Sequence, residues 1–131
     1  MTDFFFEREH RVLMAHATGV YDLEAMAAFD EFVRRFVEIN GPVRGIYDFS
    51  EIDQITVPMT RLAERAREPS IAGGLRVMVV PKVIGIGMTR AYSNWQSDAG
   101  QTAMMMVTRL EEAYVMLGLD YKAKFEPVTL D

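Results

Sequence analysis

The sequence predicts one α/β domain built on a mixed, largely parallel sheet of about five strands flanked by four helices. Three observations carry this. Segments with the two-residue period of strands alternate with segments of helical period, in the order ββαβαβαβα, and the connections are short. The 131 residues suit a single domain, 1–131, and leave no room for a second. With 50% hydrophobic and 25% charged residues the balance is that of an ordinary globular chain, which argues against disorder.

Residues 3–8 and 12–18 read as two strands joined through Glu9-His10-Arg11. In the second, Val12, Met14 and His16 point to one face and Leu13, Ala15 and Ala17 to the other, and Gly19 is expected to break it. Asp22 is placed to N-cap a helix over 23–39. There Met26, Phe29, Val33, Phe36 and Val37 form an apolar stripe opposite Glu24, Glu31, Arg35 and Glu38, and Asn40-Gly41-Pro42 ends it. Val43 to Phe49 is the next strand, with 50–57 as a connection. Pro58 opens a second helix whose apolar side is Met59, Leu62, Ala63 and Ala66, and Glu68-Pro69 closes it.

Gly73-Gly74 leads into LRVMVVP, an apolar run of the kind found in a strand covered on both faces. Gly85 and Gly87 open a third helix with the stripe Ile84, Met88, Ala91/Tyr92, Trp95 and Ala99, closed by Gly100. Residues 103–107 form another buried-type strand, 110–117 a last helix ended by Gly118, and 119–131 a tail along the domain edge. The predicted core is Phe29, Val33, Phe36, Val79 and Met105.

Composition narrows the function classes. There is no cysteine, which removes disulfides, thiolate catalysis and cysteine metal sites and suits a reducing compartment. The N-terminus MTDFFFEREHRV carries an early acid and a three-residue apolar run, so no signal peptide is expected. No stretch approaches the roughly 18 apolar residues that span a bilayer, so a cytoplasmic protein without a membrane span is expected. Fourteen basic against nineteen acidic residues give a net charge of −5, a field that opposes polyanions, and nucleic acid is not an expected partner. Acids gather over 1–31 and arginines over 61–76, both read as solvated helix faces with local ion pairs.

VRGIYDFSEID, residues 43–53, resembles a strand of the STAS fold, named for sulfate transporters and anti-sigma-factor antagonists, in which an aliphatic run ends in Asp-Leu-Ser. VMVVPKVIGIGMTRAY (77–92), with Gly87-Met88-x-Arg90-x-Tyr92, and Leu110-Glu111-Glu112-Ala113 are similar to small bacterial SpoIIAA-like proteins of STAS/Sec14 type. The resemblance runs from residue 3 to 118, mostly in core patterns, and implies the fold more than an activity. It also implies signalling by docking. In the antagonists a serine at the start of the following helix is phosphorylated. The equivalent turn here, Ile55-Thr56-Val57-Pro58, lacks it and leaves Thr56 and Thr60 as candidate acceptors.

Few residues are equipped for chemistry. His16, mid-strand, reads as a hydrogen-bonded, half-buried structural residue, and His10 as an exposed hairpin residue. No HxxxH or HExxH spacing occurs, so no metal is expected, and no cofactor is implied. Ser50, His16 and Asp48 permit a triad to be drawn, but without a Gly-x-Ser-x-Gly elbow Asp48 and Ser50 read better as caps of the turn after their strand. Gly85 and Gly87 sit where backbone amides can face an anion, although close helix–sheet packing accounts for them too. Arg90, one turn on, is suited to a carboxylate or phosphate there, or to Asp98 or Glu112.

Met104-Met105-Met106 alternates between faces and reads as core filling rather than a copper site. Phe4, Phe5 and Phe6, with Phe125 and Tyr121 expected to meet them, suit a closed core, a pocket wall or a homodimer face. Tyr92 and Trp95 give the third helix a mixed aromatic and polar surface, and a pocket is expected between it and the strand ends near Asp48.

The sequence therefore reads as a non-catalytic binding or regulatory module for a protein partner or a small apolar or anionic ligand. The candidate ligand-binding residues are Asp48, Ser50, Gly85, Gly87, Arg90, Tyr92 and Trp95. The alternative is a small hydrolase-type enzyme using Asp48, Ser50 and Arg90.

Overall fold

A computed structural model describes residues 1–83 and 85–130, with the side chains of 85, 86 and 88 left aside. Its elements are β1 (Thr2–Glu7), β2 (Val12–Tyr21), α1 (Leu23–Asn40), β3 (Val43–Ile55), α2 (Met59–Arg67), β4 (Gly73–Val79), α3 (Gly85–Asp98), β5 (Met105–Val107), α4 (Leu110–Met116) and β6 (Glu126–Val128). They form one sheet in the order β5-β4-β3-β2-β1-β6. Strands β2 to β5 run parallel, and β1 is antiparallel to both its neighbours. The fold class read from the sequence is the one observed, with a sixth strand where the tail adds β6 to the free edge of β1.

Local chemistry sets the element ends. Asp22 caps α1 by accepting from the Ala25 amide at 2.8 Å, and the Gly41 amide closes the helix on Val37 O at 2.7 Å. The β1–β2 hairpin is tied by buried Glu7, whose carboxylate accepts from the amides of Glu9 (2.9 Å) and His10 (2.8 Å).

Strand alternation divides the core in two. Leu13, Ala15, Tyr47 and Phe49 lie on the face covered by α1, α2 and α3. Val12, Ile46, Val77 and Val79 lie on the face covered by α4 and the chain after it. Phe4 stacks on Phe32 (3.7 Å between centroids), and Phe6 meets Phe36 edge-on (4.9 Å), so these two of the phenylalanine run are clamped by α1. Phe125 instead packs on Tyr114, 5.7 Å away on the opposite face, and Tyr121 stands 83% exposed, so neither joins the run.

Four element readings are corrected. Gly19 does not break β2; it takes φ +76 beside a register shift, and the strand continues to Tyr21. Residues 50–55 are not a connection but the outer half of β3, paired with β2 through two bulges. The fifth strand is shorter than 103–107, at Met105–Val107, and the last helix ends at Met116. Of the predicted core, Phe29, Val33, Phe36 and Val79 are buried, whereas Met105 is only half-buried and the fully covered methionine of its run is Met104. Ile84 and the Met88 side chain lie outside the described residues.

Candidate functional site

A cavity of about 210 Å³ lies between the sheet and helices α1, α2 and α3. Its floor follows from the two-residue period of the strands. Tyr47 and Phe49 of β3 and Arg76 and Met78 of β4 point up into it, while Ile46, Val77 and Val79 point down. Parallel register sets Gly45 beside Arg76 and Tyr47 beside Met78. The walls come from helical stripes: Met26, Phe29 and Val33 of α1, Leu62 of α2, Tyr92 and Trp95 of α3.

Polar groups converge on this apolar space. Arg65 of α2 grips Asp30 of α1 with two bonds, Nε–Oδ2 at 2.8 Å and Nη2–Oδ1 at 3.3 Å, and so ties the two helices together at the cavity wall. Burial weighs against the Arg65 charge, but the bond to Asp30 and its negative charge outweigh that and hold its pKa above the ordinary value. Arg76 has no such partner. It is 7% exposed, its Nη2 donates to Thr102 O at 2.5 Å, and its Nε has no hydrogen-bond partner. Burial pushes the Arg76 pKa down, partly offset by Tyr47 and Tyr92.

Among the described residues, Ser70 Oγ is the other buried side-chain polar atom without a partner, and Ser70 lines the same cavity. Three tyrosines line the cavity. Burial raises Tyr47 to about 12, with the Arg76 charge pulling the other way. Burial likewise raises Tyr21, helped by Asp30, and raises Tyr92 against the opposing pull of Arg65.

Of the residues singled out from the sequence, the structure brings Tyr92 and Trp95 to the cavity. Asp48 and Ser50 are not among its lining residues, because alternation turns Asp48 to the Ile46 side of β3. There Asp48 Oδ1 accepts from the Ser50 hydroxyl (2.6 Å) and amide (3.1 Å), bonds made at the first bulge of a continuing strand rather than at a turn. His16 is held by Glu51 at 2.8 Å. The Ser50 hydroxyl is thus engaged with Asp48, and the imidazole with a different carboxylate, so the three do not assemble a nucleophile with its base.

Gly87 and Arg90 are exposed on α3 away from the cavity. A Cβ at Gly87 would meet nothing within 4 Å, so tight packing does not call for glycine there. Gly85 opens α3, and its surroundings lie outside the described residues. Glu112 is engaged by Thr108 at 3.0 Å and Arg109 at 3.5 Å rather than by Arg90. Thr56 and Thr60 are exposed on either side of the α2 N-cap, Pro58. Glu7, Glu9 and His10 lie close enough to share a cation, and one of these contacts, His10 Nδ1 to Glu7 Oε2 at 3.0 Å, is a bond within the hairpin itself.

Sequence reasoning missed Arg76, Ser70, Tyr47 and the Asp30–Arg65 pair. One signal was present: Arg76 is the single charged residue in LRVMVVP, and a cation inside a strand covered on both faces has to meet a partner or a cavity.

No protein-family model and no curated protein matches the chain. Among solved structures it is similar to the anti-sigma factor antagonist SpoIIAA in its unphosphorylated form, with a TM-score of 0.56 and 13% identity. That likeness covers 86% of this chain and 94% of the other. By that superposition, the chain has the STAS-like fold of SpoIIAA.

Proposed function

We propose that the protein is a non-catalytic binding module that takes a small, largely apolar ligand into the cavity under α1, α2 and α3. One observation carries the reading: both buried side-chain polar atoms left unsatisfied among the described residues belong to cavity-lining residues, Ser70 and Arg76. Buried polar groups in folded proteins are nearly always hydrogen-bonded, because an unsatisfied one costs about 1–3 kcal/mol. Two of them on residues that line one cavity are accounted for by a ligand that reaches and bonds them. Apolar and aromatic walls with a few convergent polar groups are also the composition of small-molecule sites.

The engagement of Ser50 with Asp48 and of His16 with Glu51 supports binding over turnover. The likeness in fold to an anti-sigma factor antagonist supports a regulatory role, in which a protein partner in the cytoplasm reads whether the cavity is filled. Exposed Thr56 and Thr60, beside the start of α2, are where phosphorylation would enter such a device.

The chain has one tryptophan, Trp95, and it lines the cavity, so its emission reports occupancy. Titration with neutral 4-ethylphenol is expected to shift Trp95 emission saturably in the native protein. Val33→Phe, which fills the space from α1, should abolish the shift while circular dichroism stays unchanged. A linear, unsaturable response that is the same in both proteins would reject the reading.

A further inference from the structure

We infer that the ligand is a small organic carboxylate, seated with its charged end on Arg76 and Ser70 and its apolar body against Phe29, Tyr92 and Trp95. This rests on the binding reading above and names the chemistry that the site selects. The argument starts from charge. Arg65 and Asp30 neutralise each other through two hydrogen bonds. Among the described residues, no carboxylate lies within ion-pair distance of Arg76, although Arg76 is 7% exposed. A guanidinium cannot shed its proton in a protein, so Arg76 leaves one uncompensated positive charge in the cavity.

Such a buried charge is strongly unfavourable until an anion meets it. A monoanion cancels it. A dianionic phosphate would leave an excess negative charge beside Asp30. Geometry also favours a carboxylate. The planar guanidinium still offers its Nε–H after Nη2 has bonded Thr102 O, and a planar carboxylate accepts from adjacent guanidinium N–H groups. Ser70 supplies a hydroxyl, and Tyr47 and Tyr92 lie near enough to Arg76 to interact with its charge.

Size narrows the class further. A cavity of about 210 Å³ suits a ligand on the order of ten heavy atoms. That is below the span of drug-sized sites, roughly 300–1,000 Å³. Arylacetic acids and short fatty acids match that size.

The test compares phenylacetate, octanoate, neutral phenylacetamide and phenyl phosphate by Trp95 emission and calorimetry. The expected result is that phenylacetate binds roughly tenfold or more tightly than phenylacetamide, and that Arg76→Gln removes this preference by weakening the acid far more than the amide. Arg76→Lys keeps the charge without the fork and should recover part of the preference. Because Arg76 also bonds Thr102 O, thermal midpoints of the unliganded variants guard against a purely structural effect. Arg76→Met is expected to unfold no lower than the native protein.

Equal binding of acid and amide, or a preference that survives Arg76→Gln, would overturn the inference and leave the cavity reading standing. Tighter binding of phenyl phosphate would overturn the carboxylate assignment. A large drop in midpoint for both Arg76→Met and Arg76→Gln would assign Arg76 to holding β4 and would also overturn it. If no compound moves Trp95, the neutral amide included, the inference and the binding reading fail together.

Discussion

The ring of Tyr47 lies over the bare backbone of Gly45: a Cβ at residue 45 would stand 2.9 Å from Cε1 and 3.3 Å from the phenol oxygen. Gly45 is the parallel-strand neighbour of Arg76, so this missing side chain lets the ring lie down along the cavity floor beside the guanidinium. Gly45→Ala forces the ring upward into the cavity. It should cost about 1–3 kcal/mol, the usual range for overpacking, and weaken phenylacetate binding. Urea unfolding and a Trp95 titration of the variant check both effects; unchanged stability and binding would show that the ring yields freely.

Burial of Tyr47 has a consequence at alkaline pH. Its pKa rises from 10.0 in the unfolded chain to about 12 in the fold. Below pH 10 both states keep the proton and stability is unaffected. Between about 10 and 12 the unfolded state ionises first, so stability falls as pH rises, by roughly 2–3 kcal/mol in all. Tyr21 shifts in the same direction and adds to the loss. Urea midpoints from pH 9 upward should therefore fall less steeply in Tyr47→Phe than in the native protein. Parallel slopes would contradict the burial of this phenol.

The Asp30–Arg65 pair is partly buried, with side chains 23% and 12% exposed. Asp30→Ala leaves the arginine without its acceptor and should lose about 2–3 kcal/mol. Adding Arg65→Met should restore much of that, since the stranded charge is then gone. Chemical denaturation of the two single variants and the double variant closes the cycle. Additive losses would mean that the pair does not link α1 to α2.

Phe36, 2% exposed and edge-on to Phe6, marks the best-defined helix face. Phe36→Ala should cost roughly 3–5 kcal/mol by equilibrium unfolding. A loss below about 1 kcal/mol would mean that α1 does not pack on β1 as described.

Legibility in the sequence followed how local the signal was. Helix α1 was readable almost to the residue, because its cap Asp22, its stripe and its Gly41 stop are all local. The outer half of β3 was not. Beyond β4's reach it pairs with β2 alone, so polar Glu51, Asp53 and Gln54 are exposed, and two bulges blur the alternation around buried Ile52. Strand β6 was invisible for a different reason. Its three residues include Pro127 and become a strand only by pairing with β1, far away in sequence. Of the residues singled out on the third helix, Tyr92 and Trp95 line the cavity. Tyr47 lines the cavity and Asp48 does not, because one residue along a strand exchanges one face of the sheet for the other.

The most direct measurement is the Arg76 Nε–H resonance in a nitrogen-15 spectrum, assigned by its loss in Arg76→Lys. The account predicts that phenylacetate shifts this resonance saturably, at the concentrations that move Trp95 emission, and that phenylacetamide leaves it in place. A resonance that stays still while Trp95 responds to phenylacetate would place the acid away from Arg76 and contradict the account.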